Sequence, residues 1–244
     1  LSNDEDTKTF RYSSGESTSS NKIAIIKLDG PILNDLTISN IGFFDNLSII
    51  YVNQLKKTFA NLEKEKVKGI IISINSPGGS VSASFNLYKL IYEFKKKNNL
   101  TIFFHTNELI ASGAYWAALS GDKIYADYGS LIGSIGVKGP DWIYFDEPIA
   151  ISNNFGFFGN TVETRKGIKK FSSLAGNSKD LLDPFRPPSE KEIIQLQTIV
   201  NNIYIDFVNT VSKNRKLEKN FIIKDIGAMI YDTKEAQKNF LIDG

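Results

Sequence analysis

The chain has 244 residues, 41% of them apolar and 23% charged, with a net charge of +2. That is the make-up of an ordinary globular protein, and it offers no basic surface for nucleic acid. Cysteine is absent, which excludes a disulfide frame and thiol chemistry, and any Ser-His-Asp triad would have to use the single histidine, His105. No His/Asp/Glu cluster has metal-ligand spacing, so neither a metal nor a cofactor is expected.

Residues 1–21 are polar, rich in Ser, Thr and Asp, and read as a flexible arm. The chain begins at Leu1 rather than Met, so removal of a targeting or anchoring segment is expected; no apolar run reaches the length of a membrane span. Residues 22–28 (KIAIIKL) form a strand of mostly buried character, and Asp29-Gly30-Pro31 turns the chain. Helical spacing over 50–65 puts Val52, Leu55, Phe59 and Leu62 on one face. Residues 66–74 (KVKGIIISI) are the next strand, apolar enough to be covered on both faces. Asn75-Ser76-Pro77-Gly78-Gly79-Ser80 follows at once and opens a helix over about 81–97. Glycines at the C-terminal end of a strand leave backbone N–H groups unobstructed, at the place where open α/β sheets bind ligands. The turn is either a tight βα connection or an oxyanion hole with the Gly79 N–H as donor.

Residues 100–105 are a third strand, and the stretch Leu109-Ile110-Ala111-Ser112-Gly113-Ala114-Tyr115-Trp116 comes next. Ser112 stands between small residues at the start of a helix-compatible run. A serine there either caps the helix or presents its hydroxyl to a substrate backbone that its small neighbours admit. Lys123-Ile124-Tyr125-Ala126 is a fourth strand. The order β-α-β-α-β-α-β predicts an α/β fold with a mostly parallel sheet. Residues 129–139 (GSLIGSIGVKG) read as a close-packed loop carrying Ser134, and 160–174 as a β-hairpin turning at Arg165-Lys166-Gly167. Ser189 caps a long helix to about residue 216, with Glu192 as its capping-box partner. That helix carries Ile193, Ile194, Leu196, Ile199, Val200, Ile203 and Phe207, too many apolar residues for a surface helix, so contact with another subunit is expected. Residues 222–244 read as one or two short helices. With no repeat and no second globular composition, one domain over 22–244 follows the arm.

Four stretches occur in a telling order: NSPGGSV (75–81), ASGAYWAA (111–118), GSLIGSIGV (129–137) and GNSKDLLDPFR (176–186). On them the chain resembles the signal peptide peptidase A (SppA) family of serine peptidases, of the S49 type, from about Lys22 to Gly244. The resemblance implies a crotonase/Clp protease-like fold and a Ser-Lys dyad. It matches Ser112 to the nucleophile, Gly79 to the oxyanion donor, Ser134 to a serine that orients the lysine, and Lys179 to the base, five residues before Pro184. Lys170 is a rival base, since Gly167-Ile168-Lys169-Lys170 repeats the Gly-x-x-Lys pattern, but only Lys179 keeps the Asp-Pro-Phe-Arg tail. The resemblance further implies a membrane-anchored, extracytoplasmic enzyme acting on remnant signal peptides and other peptides. Its homo-oligomeric ring, with an octamer among the sizes it suggests, would share active sites between subunits and leave the monomer inactive.

Serine is a poor nucleophile without an adjacent base, and lysine serves as one only when desolvation brings its pKa down by roughly three units. The apolar residues Ile132, Ile135 and Phe185 are candidates to supply that environment. Gly78, Gly113 and Ile132 are expected to contact substrate, and His105 to be structural. Two other readings stand beside the peptidase: a crotonase-like acyl-CoA enzyme using the same oxyanion architecture, and an inactive oligomeric scaffold. A crotonase would need neither Lys179 nor Ser134.

Overall fold

In a computed structural model the described residues are 10–16, 18–35, 48–142, 150–153, 160–163 and 173–244. They divide into two compact units, Leu1–Val137 with Tyr204–Gly244, and Lys138–Ile203.

The first unit opens with β1 (Ile23–Asp29), β2 (Ile32–Leu33), β3 (Ile50–Tyr51), α1 (Val52–Lys64) and β4 (Gly69–Asn75). It continues through α2 (Val81–Asn98), β5 (Thr101–Thr106), β6 (Leu109–Ala111), α3 (Gly113–Ala118), β7 (Lys123–Ala126) and β8 (Leu131–Gly133). Strands β1, β4, β5 and β7 form a parallel sheet in that order, with Ile25, Ile71, Phe103 and Lys123 in one row. Each connection steps the same way along the sheet. Right-handed crossovers therefore place α1 and α2 on the same face. There they meet through Phe59 and Phe94, whose rings cross edge to face at 4.9 Å. Ala24, Ile26, Leu28, Ile70, Ile72, Ile74, Ile102 and Phe104 are buried on that side.

The opposite face departs from the sequence expectation. Ile23 and Ile25 are 64% and 56% exposed, and Ile71 and Phe103 are only half-buried. The alternation of β1 and β4 is thus that of strands packed on one side. An all-isoleucine run conceals this, because the residues on both faces are apolar.

A second, three-stranded sheet carries the site. Strand β8 runs parallel to β6 and antiparallel to a later strand at Ile230–Asp232. None of the sheet's three three-residue strands is visible in the periodicity: Leu109-Ile110-Ala111 runs straight into the helix-compatible stretch, Leu131–Gly133 lies in a stretch read as a loop, and Ile230 lies in one read as helical. The end of β4 is stitched to β6, with Ser76 N–H donating to Leu109 O at 2.8 Å and Ala111 N–H to Ser76 O at 3.1 Å.

In the second unit β9 (Ala150–Asn153) pairs antiparallel with β10 (Asn160–Glu163). The strand expected to start at Asn160 is present, but it pairs with the segment before it; Arg165-Lys166-Gly167 lies outside the described residues. Helix α4 (Glu190–Arg215) belongs to the second unit as far as Ile203 and to the first from Tyr204. Behind it come α5 (Lys219–Phe221), a π-helical turn (Ile222–Ile226), β11 (Ile230–Asp232) and α6 (Thr233–Lys238). Within the first unit Phe207 stacks flat on Trp116 of α3, ring centres 4.5 Å apart, and Val208 and Val211 are buried beside it. Tyr115, fully buried, donates its hydroxyl to Leu241 O at 2.8 Å, and burial pushes its pKa up. These contacts seat the six-residue α3, which is too short to hold itself as a helix. Phe207→Ala should cost about 3–5 kcal/mol of unfolding free energy in a urea titration. A loss below about 1 kcal/mol would mean that the stack on Trp116 is not what seats α3.

Candidate active site

Ser112 sits where β6 ends and α3 begins. Its backbone has φ 53° and ψ −124°, a region that L-residues avoid at a cost of order 1–3 kcal/mol. Such a corner turns the chain sharply and lifts the side chain out of both elements. The hydroxyl makes no capping bond to α3, and the residue is half-buried. The N-cap role open at Ser112 is therefore not the one it plays.

Ser134 occupies the matching position on the neighbouring strand. Ala111 pairs with Gly133, and Ser112 N–H donates to Gly133 O at 2.9 Å. Ser112 and Ser134 each follow the last paired residue of adjacent parallel strands, which lie roughly 5 Å apart. Ser134 also has φ 53° and donates its N–H to Met229 O at 2.7 Å. Two serines thus leave one short ladder side by side in left-handed backbone. Ile132, in the middle of β8, is fully buried and supports that ladder from within; Ile135 is buried too.

The glycine turn comes to the same place. Gly78 has φ +93°, and a Cβ on it would stand 2.6 Å from Gly113 N and 3.0 Å from Ser112 Cβ. Only glycine allows this turn to press against the serine. Ile32 brackets Gly79, donating its N–H to Gly78 O and accepting from Ser80 N–H. In such a parallel bridge the N–H of Gly79 itself points away from Ile32, and it has no partner among the described residues. Gly113, as the first residue of α3, has a free N–H as well. Its Cα faces Ser84, whose buried hydroxyl has no partner and fills the space where a Cβ would collide. That same Cβ position is 3.4 Å from Gly79 N, so the two unengaged donors are neighbours. Two free donors side by side next to Ser112 have the geometry to receive one anionic oxygen.

Lys179 belongs to the second unit and is exposed. It rides on a run of turns in which Lys179 N–H meets Gly176 O and Leu181 N–H meets Ser178 O, with Ser178 and Leu182 both at positive φ. Arg186 locks this run. It grips Asp180 through Nε and Nη2 at 2.6 and 2.8 Å, and Glu192 through Nη2 and Nη1 at 2.7 and 2.9 Å. Its guanidinium lies over Trp142 at 5.1 Å, and Trp142 Nε1 donates to Asp183 O. The expected capping box is formed: Ser189 N–H donates to Glu192 Oε2 at 2.9 Å and Glu192 N–H to Ser189 Oγ at 3.3 Å. Hydrogen bonding to Arg186 first, then the Ser189 N–H and Ser178, holds the Glu192 carboxyl well below the usual carboxylate range. Arg186 lowers Asp180 in the same direction. Lys170, the rival base, lies outside the described residues.

The chain is similar to known proteases. The Peptidase family S49 model matches residues 149–244, and a Clp protease model matches 40–124. A Methanocaldococcus jannaschii protein with the provisional name of a protease is 34% identical over 79% of this chain and 56% of its own length. An Enterococcus faecium protein, provisionally named signal peptide peptidase SppA, is 29% identical over 93% of this chain and 61% of its own. Protease 4 of Haemophilus influenzae is 27% identical over 91% of this chain and 32% of its own. The chain belongs to peptidase family S49. It spans just over half the length of the first two of these relatives.

The S49 chain has a Clp protease-like fold. It superposes on ClpP1 of Listeria monocytogenes with a TM-score of 0.54 at 14% identity, over 89% of this chain and 88% of that one. A membrane-bound stomatin-specific protease gives 0.51 at 16% identity, over 92% and 79%.

Three features of this S49 site escape a reading of the sequence. The Gly113 N–H as a second donor and the unpartnered Ser84 hydroxyl depend on how closely α2 and α3 approach. His105 has an acid partner, Asp127, at 3.0 Å, but this pair lies at the end of β5, and none of the groups packed on Gly78 or Gly113 is His105. Among the described residues no His/Cys/Asp/Glu group could hold a metal, and no helix is long and apolar enough to cross a membrane.

The carboxylates of the Arg186 cluster set a pH dependence. Their folded pKa values lie below the unfolded ones, so their stabilisation is complete above the ordinary carboxylate range and fades as pH falls through it. Thermal melts from pH 7 to pH 3 should drop most steeply below about pH 5, and Glu192→Gln should flatten that slope while lowering the neutral-pH melting temperature. A Glu192→Gln curve parallel to wild type would contradict this assignment.

Proposed function

We propose that this chain is a serine endopeptidase in which Ser112 attacks the scissile carbonyl and Lys179 is the general base. Lys179, uncharged, takes the Ser112 proton and returns it to the leaving amine. The N–H groups of Gly79 and Gly113 receive the oxyanion of the tetrahedral intermediate, and the acyl-enzyme formed on Ser112 is then released by water. Ser134, standing beside Ser112, hydrogen-bonds the lysine amine and aims it. The observation that carries this reading is the backbone corner at Ser112, with two unengaged N–H donors against it and a second serine on the adjacent strand. Neither an acyl-CoA enzyme nor a scaffold has use for that pair of serines.

In a single chain Lys179 is exposed, whereas a lysine serves as a base only when it is desolvated. A base in this position needs burial that comes from outside the chain. The isoleucines of α4 support the same conclusion: Ile193, Ile194, Ile199 and Ile205 are between 46% and 58% exposed. We therefore infer a homo-oligomer, a ring of the kind formed by Clp-like proteases, in which Lys179 of one subunit serves Ser112 of the next. The substrates are peptides, remnant signal peptides among them, cleaved on the extracytoplasmic side of a membrane. The Enterococcus relative's name and the membrane-bound stomatin-specific protease support that setting.

In a casein or fluorogenic-peptide assay, Ser112→Ala should abolish turnover and Lys179→Ala should lower kcat at least about 100-fold, while Lys170→Ala stays near wild type. Activity retained in Ser112→Ala would overturn the nucleophile. Loss in Lys170→Ala with retention in Lys179→Ala would reassign the base.

A further inference from the structure

The residues that flank Lys179 both meet one part-buried carboxylate–guanidinium cluster, while the Lys179 side chain stays apart from it. On one side Ser178 helps to hold the Glu192 carboxyl in its charged form, and Glu192 is only 5% exposed. On the other, Asp180 is held by the Arg186 fork through its carboxylate and, at 3.3 Å, through its carbonyl oxygen. Glu192 is anchored in the first turn of α4 by its exchange with Ser189. The side chain of Lys179 has no hydrogen bond or ion pair among the described residues, although Asp180, Asp183 and Glu192 are all close in sequence or space. Those carboxylates are occupied: Asp180 and Glu192 by Arg186, and Asp183 by the Phe185 N–H.

This has two consequences. First, the Arg186 bonds hold a turn run whose residues Ser178 and Leu182 stand at positive φ and would relax if released. Second, Asp180 and Glu192 are engaged by Arg186 and not by the Lys179 amine, a pairing that would keep an amine protonated. A lysine in place of Arg186 keeps the charge but has no planar fork, so it cannot hold two carboxylates at once.

We propose that Arg186 is a positioning residue for Lys179: by engaging Asp180 and Glu192 together it fixes the turn that presents the amine and keeps both carboxylates off it. The proposal rests on the reading of Lys179 as the base.

The test uses the full chain as the assembled protein. Arg186→Lys should lower kcat about 10- to 100-fold at a temperature well below its melting point, with KM little changed, since a misplaced base harms the chemical step and not binding. Ser178→Ala releases the other flank without touching the arginine. It should lower kcat in the same direction with almost no change in melting temperature. Asp180→Asn combined with Arg186→Lys should be no worse than Arg186→Lys alone, because both remove the same fork. If Arg186→Lys lowers the melting temperature but keeps wild-type kcat, Arg186 is merely structural and the proposal fails. If Arg186→Lys does not assemble, Ser178→Ala decides, and wild-type kcat there overturns the proposal. Lys179→Ala, run beside them, separates the two levels: an active Lys179→Ala removes the base assignment itself, whereas an inactive one with an unaffected Arg186→Lys removes only the positioning role.

Discussion

The site depends on one backbone constraint: two parallel strands, β6 and β8, stop at the same level, and each hands its chain to a serine in left-handed backbone. Pairing of Ala111 with Gly133 fixes the level, and the bond from Ser112 N–H to Gly133 O holds the corner closed. The strain at Ser112 persists only because its surroundings over-determine it. On one side α3 is buried along its whole length and stacked on Phe207; on the other, Gly78 leaves no room for the corner to open. The same close approach aligns the Gly79 and Gly113 N–H groups. The proposed nucleophile and its proposed anion site thus arise from one packing decision, the contact of the Pro-Gly-Gly turn with the start of α3.

Much of this was legible in the chain. The four parallel strands were readable because each is a run of β-branched residues followed by a helix with apolar spacing. The Ser189–Glu192 box was readable because capping is a local matter of three residues. Gly78 and Gly79 stood out because consecutive glycines after a strand have few other uses. What stayed hidden was long-range. The three-residue strands β6 and β11 are too short for any period, and β11 pairs with a segment about 100 residues earlier. The free face of the large sheet was misread because isoleucine occupies both faces of β4. Ser84 looks like any helix serine until α3 is laid against it. Arg186 looked like the tail of a motif, and its role depends on Asp180 and Glu192 meeting at one guanidinium.

The two units contribute different chemistry. The first holds Ser112, Ser134 and the free N–H groups of Gly79 and Gly113 where short paired strands and a buried helix meet. The second presents an exposed lysine on a short run of turns locked by ion pairs. On the proposed reading, the chain by itself carries a nucleophile without its activator. On that reading assembly is the on-switch: burying Lys179 against a neighbour would supply the desolvation that a lysine base needs. Such an arrangement would keep an unassembled protease harmless.

The most direct measurement of that claim is complementation between two inactive proteins. Ser112→Ala and Lys179→Ala chains are each purified, mixed as unfolded or dissociated subunits in equal amounts, reassembled and assayed on one peptide. If serine and lysine come from adjacent copies, about a quarter of the sites in a randomly mixed ring are complete, and activity returns to about a quarter of wild type. If mixed rings form and stay inactive, both groups must come from the same chain, and the shared-site account is wrong.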